Sequence, residues 1–151
     1  MAFRSFLVLI FFGMFMQGAL AVGLSDDEVD DKDPLIQQAH ELIKKNKYAD
    51  AIPVLQKAIG LDPKSADAWA QLGYASRRIG AFSSSLSSYE TALELDPKHQ
   101  SALSYLGELY LDLNQPDKAK EQLAQLVKVC PKGCEAREVL ADAIETWLDA
   151  N

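Results

Sequence analysis

The chain has 151 residues and a formal net charge of −7; 48% of its residues are hydrophobic and 25% are charged. This is the length and composition of one ordinary globular domain. The acidic balance excludes the basic surface that is typical of nucleic-acid-binding proteins. Two cysteines and two histidines exclude a cysteine-rich scaffold and a four-cysteine zinc site, so we expect neither a metal nor another cofactor.

The N-terminal segment has the pattern of a secretory signal peptide. Arg4 precedes an apolar run over residues 6–16, and an A-x-A triplet ends at Ala21, which predicts a signal over residues 1–21 with cleavage after Ala21. The run is shorter than the about 20 residues of a membrane-spanning helix. The alternative is an uncleaved anchor over residues 6–24. Both place the remaining chain beyond the membrane, so we predict a secreted protein of a Gram-negative-type periplasm that touches the membrane only if the signal stays uncleaved.

A strongly acidic segment follows over residues 22–33, with six acidic residues against one lysine and a net charge of −5. Such a run cannot bury apolar surface and repels itself, which predicts a disordered spacer. A calcium loop of the EF-hand type needs a glycine at its sixth place and a glutamate at its twelfth, and neither is present. The chain from residue 34 onward carries only −3, so the net charge says little about the folded part.

The rest of the chain repeats with a constant period of 34 residues, the spacing between Pro63, Pro97 and Pro131. These three prolines occupy the same position in successive repeats. The first two lie in nearly identical motifs, AIGLDPK and ALELDPK. Small residues recur in two columns, larger apolar residues in two more, and turn residues in a fifth. These columns are Ala39, Gly73 and Gly107; Ala51, Ser85 and Ala119; Leu35, Trp69 and Leu103; Leu55, Tyr89 and Leu123; and Asn46, Gly80 and Asn114. Three copies of one structural unit are therefore predicted.

The apolar spacing within each copy is helical and predicts a pair of antiparallel helices. In the second copy Gly80 separates the two apolar stripes, as a residue at a helix C-terminus does. Small residues are expected where the two helices cross closely, and each proline is expected to end a second helix. Asp33 and Pro34 are predicted to be the N-cap and the first residue of the first helix.

The residues in these columns resemble the consensus motif of the tetratricopeptide repeat family, W-x2-L-G-x2-Y, A-x3-F and A-x4-P. In the second copy it stands as Trp69, Leu72, Gly73, Ser76, Ser85, Tyr89, Ala92 and Pro97. The resemblance implies an all-α, right-handed α-solenoid with three repeats over residues 34–131, or 32–65, 66–99 and 100–133 by period. Apolar residues at helical spacing after Pro131 predict one more helix over residues 133–150, which caps the solenoid with a polar outer face.

The two cysteines, Cys130 and Cys134, flank the junction between the last repeat and this capping helix. Their spacing excludes a redox C-x-x-C motif and a c-type haem attachment site. A zinc site lacks further ligands, because His40 and His99 lie in distant repeats. A disulfide or two free thiols remain, and an oxidising compartment favours the disulfide.

The resemblance also implies where a ligand binds, since the family uses the concave surface formed by the first helix of each pair. A peptide or an amphipathic helix is the expected ligand. Carried over by column, the groove residues are Ile36, His40, Lys44, Ala70, Tyr74, Arg77, Ser104, Glu108 and Leu111, with Ile43, Arg78 and Asp112 beside them. A chaperone-binding subgroup grips a C-terminal carboxylate with Lys, Asn and Arg; Ile36 and His40 stand where its first Lys and Asn would be, so that clamp is not expected.

No phosphate-binding glycine loop, nucleophile elbow or paired-histidine helix occurs in the sequence. We therefore predict a non-catalytic scaffold or adaptor of the cell envelope, monomeric or weakly oligomeric, that binds a protein or peptide and not a nucleic acid. Two alternatives remain. One is a chaperone-like factor in periplasmic protein maturation, such as cytochrome c biogenesis, and the other is a self-assembling structural repeat protein.

Overall fold

The computed structural model describes residues 33–151, which form seven α-helices without a β-strand. The expected all-α class is thereby confirmed. The predicted signal over residues 1–21, with its cleavage at Ala21, and the predicted spacer apart from Asp33 lie outside the described residues. The helices are α1 Pro34–Lys44, α2 Tyr48–Leu61, α3 Ala66–Arg78, α4 Phe82–Leu95, α5 Gln100–Asp112, α6 Pro116–Val129 and α7 Glu135–Ala150.

Polar side chains cap the N-termini of the first helices of the three pairs. The Asp33 carboxylate accepts a hydrogen bond from the Leu35 N–H at 2.8 Å, and Pro34 is the first residue of α1, which confirms that prediction. Ser65 Oγ accepts from the Ala68 N–H at 3.2 Å at the start of α3. His99 caps α5 in the same way, with Nδ1 accepting from the Ala102 N–H at 3.1 Å. Each cap satisfies a backbone donor that has no partner within the helix.

The predicted turn column and the three prolines lie where helices end. Gly80 has φ +79°, and Asn46 and Asn114 have φ 57° and 58°. This left-handed region costs glycine nothing and asparagine less than most residues. The second helices α2, α4 and α6 end at Leu61, Leu95 and Val129. Each therefore ends two residues before its proline, as expected.

The predicted small columns are buried where helices cross. Gly73 of α3 faces the ring of Tyr89 on α4 so closely that an added Cβ would lie 2.5 Å from Tyr89 Cε1. Gly107 of α5 faces Leu140 of α7 in the same manner, with 2.5 Å to Cδ2. The remaining members of these columns, Ala39, Ala51, Ser85 and Ala119, are each 0% exposed. These side chains are small because the helix axes leave no room for larger ones.

Helix α7 packs against both α5 and α6 and continues the repeat. Leu140 is 0% and Ile144 6% exposed, and they stand one repeat period after Leu106 and Tyr110. Helix α7 is therefore built like the first helix of a fourth pair. Within residues 33–151 no helix has both the length and the apolar character needed to cross a membrane.

A disulfide joins Cys130, which follows α6, to Cys134, the N-cap residue of α7, with a Cα–Cα distance of 6.0 Å. Arg137 also holds this junction, because its Nη1 donates to the carbonyl oxygens of Cys130 at 3.2 Å and Pro131 at 3.3 Å. The start of α7 is thus tied to the end of α6 by a covalent bond and by two hydrogen bonds.

Candidate functional site

A groove of about 490 Å³ lies on the surface formed by the first helices α1, α3 and α5. We call it the tyrosine groove, after the three tyrosines in its wall. Its lining residues are His40, Ile43, Lys44, Asn46, Tyr48, Asp67, Ala70, Gln71, Tyr74, Arg78, His99, Ser101 and Tyr105. The structure therefore brings together four of the predicted groove residues, His40, Lys44, Ala70 and Tyr74.

The three tyrosines form a row across the groove. The ring centroids of Tyr48 and Tyr74 are 6.1 Å apart at an edge-to-face angle of 66°, and those of Tyr74 and Tyr105 are 4.8 Å apart. Both separations are typical of favourable aromatic pairs. Burial raises the pKa of Tyr105, which keeps its hydroxyl protonated and able to donate. The row offers a rigid apolar surface with polar tips.

Arg78 is positioned by this row of tyrosines. Its Cζ lies 4.6 Å from the ring centroid of Tyr48 and 5.8 Å from that of Tyr74, and its Nη1 donates to Tyr74 Oη at 2.9 Å. A guanidinium has five donors, so this contact with Tyr74 leaves donors for a ligand. Lys44 is the second permanent cation of the lining, and an exposed pair with Glu41 at 2.9 Å holds its ammonium.

The acid of the lining, Asp67, is bonded within the groove. Asp67 Oδ1 lies 2.9 Å from His99 Nε2. Because His99 Nδ1 accepts from the Ala102 N–H, Nε2 is the donor in this contact. The lining thus contains two cations, Lys44 and Arg78, and one carboxylate, and Lys44 is paired with Glu41 outside the lining.

Seven residues of the groove lining were not predicted: Asn46, Tyr48, Asp67, Gln71, His99, Ser101 and Tyr105. Two of them, Gln71 and Tyr105, occupy one column, a single repeat period apart, next to the column of Ala70 and Ser104 that the resemblance marked. Gln71 Oε1 is buried and has no hydrogen-bond partner. A buried amide oxygen without a partner is costly. The aromatic side chain at position 105 was the available signal in the sequence.

Three other predicted groove residues lie in a second cavity, of about 360 Å³, between α5 and α7. We call it the tryptophan pocket. Its lining residues are Arg77, Glu108, Leu111, Asp112, Ala143, Thr146, Trp147, Ala150 and Asn151. The contribution of α7 was not predicted, although the sequence contains its signal: Thr146 continues the column of Lys44, Arg78 and Asp112 by one more repeat period.

Arg77 of α3 is bonded to α5 at this pocket. Its Nη1 donates to Glu108 Oε2 at 2.6 Å and its Nε to Asp112 Oδ2 at 2.5 Å, and the Arg77 side chain is only 14% exposed. Burial alone would lower the pKa of Arg77, but the hydrogen bonds and charges of the two carboxylates outweigh it and the pKa is raised. Arg77 and Glu108, which were both predicted to line the groove and contact a ligand, are therefore paired with each other.

The last two predicted groove residues lie apart from both cavities. Ile36 is 7% exposed and packs with Ala58 and Ala68 in the core, because the small Ala68 side chain lets α3 approach α1. The prediction that Ile36 lines the groove is therefore wrong, and Ile36 is a core residue. Ser104 is 2% exposed, has no partner for Oγ, and lines a cleft of about 220 Å³ between α5 and α7. Across the part of the chain that the structure describes, no three His, Cys, Asp or Glu side chains group to hold a metal ion.

Antiparallel helix pairs with cavities along their first helices define an α-solenoid of the protein-interaction class. Two family models, both described as tetratricopeptide repeat, match residues 36–100 and residues 78–143. The chain belongs to the tetratricopeptide repeat family, as its columns indicated.

The chain is similar to longer curated proteins and to solved repeat domains. It is 31% identical over 109 residues to protein FlbA of Caulobacter vibrioides, which covers 72% of this chain and 18% of FlbA. It resembles the type III secretion translocator chaperone SycD of Yersinia enterocolitica with a TM-score of 0.67 and 23% identity, over 77% of this chain and 87% of SycD. It also resembles the first repeat domain of Spaghetti (RPAP3) bound to the HSP90 peptide SRMEEVD, with a TM-score of 0.65 and 22% identity, over 74% and 89%.

The chain spans about a fifth of the length of the curated relatives it matches. The low identities to SycD and to Spaghetti show a shared fold alone.

Proposed function

We propose that this protein is a non-catalytic interaction module whose tyrosine groove binds an extended segment of a protein partner. One observation carries the proposal: a groove of about 490 Å³ is lined by a row of three tyrosines. Aromatic side chains supply large contact area at low entropic cost and dominate interface energies.

The cationic groups of the groove suit acidic side chains. The remaining donors of Arg78 match a carboxylate, and so does the ammonium of Lys44 when it exchanges its exposed pair with Glu41. The similarity to Spaghetti, whose repeat domain is bound to an HSP90 peptide, supports a peptide as ligand, although the clamp residues of the chaperone-binding subgroup are absent from this chain.

We also propose that the module acts outside the cytoplasm, in the cell envelope. The signal pattern over residues 1–21 and the Cys130–Cys134 disulfide support export, because disulfides persist in oxidising compartments. The mass of the chain recovered from an expressing cell tests this proposal. Export with cleavage predicts a mature chain that begins at Val22, and a cytoplasmic chain that retains Met1 would contradict it.

The groove is tested by comparing the partners that two alanine variants recover from envelope extract after crosslinking. Tyr74→Ala removes the central ring of the row, and Leu61→Ala removes an apolar side chain that is 72% exposed and outside the groove lining. We expect Tyr74→Ala to lose a partner that the wild type and Leu61→Ala both retain. Equal recovery with all three proteins would reject the groove. Arg77→Glu is a poor test, because it would break the contact between α3 and α5.

A further inference from the structure

We infer that the tryptophan pocket is a subsite for a basic side chain, lysine or arginine, of the bound partner. The inference rests on the proposed function only for the kind of partner, because the pocket has its own lining and its own readout. Its lining combines apolar side chains with an excess of negative charge.

The apolar part of the pocket fits the aliphatic stem of a long side chain. Leu111 is 8% exposed, and Ala143 and Trp147 are partly buried beside it. Lysine and arginine lay their methylene stems along apolar surface and keep the charged head near polar groups. The indole of Trp147 adds an aromatic face, which attracts cations more strongly than the other aromatic side chains do.

The charge of the pocket is negative. Its lining contains two carboxylates, Glu108 and Asp112, and one cation, Arg77. Arg77 bonds one oxygen of each, so one negative charge remains uncompensated in the lining. Asp112 is 37% exposed, which leaves its carboxylate accessible to a ligand.

The end of helix α5 adds to this negative potential. Helix α5 ends at Asp112, which lines the pocket. A helix C-terminus carries a partial negative charge that favours cations, yet α5 has no basic residue in its last turn. In the same column of the repeat, α1 and α3 carry Lys44 and Arg78, whereas α7 carries the uncharged Thr146.

The two cavities therefore give the concave surface a positive end and a negative end. The tyrosine groove holds the cations Lys44 and Arg78, and the tryptophan pocket holds the excess carboxylate. A segment with an acidic end over α1 and α3 and a basic residue over α5 and α7 complements both, which fixes the direction in which the partner lies.

The pocket is tested by titrating the full chain with Nα-acetyl-lysine amide, Nα-acetyl-arginine amide and Nα-acetyl-norleucine amide, which lacks the charge. The readout is the indole N–H of Trp147 in a proton–nitrogen correlation spectrum; Trp69, whose indole donates to the Pro63 carbonyl at 3.0 Å, is the internal control. We expect the two basic probes to shift the Trp147 signal saturably and to leave the Trp69 signal unchanged. The norleucine probe is expected to bind at least about fivefold more weakly than the basic probes.

Variants distinguish specific binding in the tryptophan pocket from general electrostatic attraction to an acidic protein. Asp112→Asn is expected to weaken binding of the lysine probe about fivefold, whereas Asp149→Asn, the same change on exposed α7 surface outside the lining, leaves it unchanged. Thr146→Lys, at an exposed position, is expected to fill the pocket and block both basic probes. Equal binding of lysine and norleucine probes, equal effects of Asp112→Asn and Asp149→Asn, or an unmoved Trp147 signal would each overturn the inference. The readout needs no partner, so loss of the tyrosine-groove proposal would leave its result standing.

Discussion

Glycine at position 73 is required by the distance between two helices. An added Cβ would lie 2.5 to 3.0 Å from three atoms of the Tyr89 ring, and that ring is 0% exposed and cannot move aside. Gly60, by contrast, has no neighbour within 4 Å and lies in the last turn of α2. The same residue type is therefore structural at one site and replaceable at the other.

Alanine at these two glycines should change stability in opposite directions. Overpacking in Gly73→Ala outweighs the gain in helix propensity, and we expect a net loss of about 1 to 2 kcal/mol in the free energy of unfolding. Gly60→Ala is expected to gain up to about 1 kcal/mol from propensity alone. Urea unfolding measures both, and a stabilised Gly73→Ala variant would show that α3 and α4 are less closely packed than described.

Tyr89 makes the stability of the fold sensitive to alkaline pH. Burial raises its pKa, and the charge of Arg77 and the nearby Ser85 hydroxyl offset this only in part. The Tyr89 hydroxyl makes no hydrogen bond of good geometry, because Ser85 Oγ donates to the Gly73 carbonyl instead. The folded chain therefore keeps a proton that the unfolded chain releases near pH 10, so stability that is present below about pH 10 is lost as the pH rises further. Tyr89→Phe removes both the titration and the unpartnered group.

We expect Tyr89→Phe to be neutral or to stabilise the fold by up to about 1 kcal/mol at pH 7, and its advantage over the wild type to widen above pH 10. Unfolding free energies of both proteins at pH 7 and pH 11 check this. A variant that is clearly less stable at pH 7 would show that the hydroxyl is bonded after all.

At the scale of one element, helix α7 depends on its junction with α6. The Cys130–Cys134 bond closes a loop of five residues, which corresponds to about 2 kcal/mol by loop entropy. We expect Cys130→Ala/Cys134→Ala to lose about this amount, with faster amide exchange concentrated in α7. Arg137, which hydrogen-bonds the same junction, should keep α7 attached in the variant.

The control is alkylation of the wild type without reductant, with the mass read afterwards. No added alkyl group is expected. Two alkylated thiols would mean that the bond is absent from the protein in solution, and α7 would then be held by packing and Arg137 alone.

At the scale of the whole molecule, Arg77 joins the second repeat to the third. Removing one member of a partly buried charged group leaves the others unpaired, so Arg77→Met is expected to cost about 2 kcal/mol of unfolding free energy. Glu108→Gln should cost about 1 kcal/mol in the wild type and close to nothing in the Arg77→Met background. A double-mutant cycle measures this coupling, and additive effects would show that Arg77 and Glu108 do not act together.

The sequence predicts the fold better than the site, for a physical reason. Helix ends and close crossings depend on local residue types at a fixed step, so the turns at Gly80 and Asn114 and the small side chain at Gly73 follow from the repeat. Charge pairing depends on distances between repeats. Arg77 meets Glu108, 31 residues away, through helix packing that no column of the repeat specifies.

The groove residues divide in the same way. Tyr74 is placed by its column, whereas the burial of Ile36 and the membership of Tyr105 follow from how closely neighbouring first helices approach. The wall that α7 contributes was missed because the helix was interpreted only as a cap, although Thr146 continues a repeat column.

Site-specific photocrosslinking in the producing cell tests whether the concave surface binds the partner. A photoreactive phenylalanine analogue is placed at Tyr74 or Tyr105 in the tyrosine groove and, as matched controls, at Leu95 and Lys120 on the second helices α4 and α6. We expect one common partner to be crosslinked from both groove positions and from neither control position. Crosslinks from Leu95 or Lys120 with none from Tyr74 and Tyr105 would contradict it.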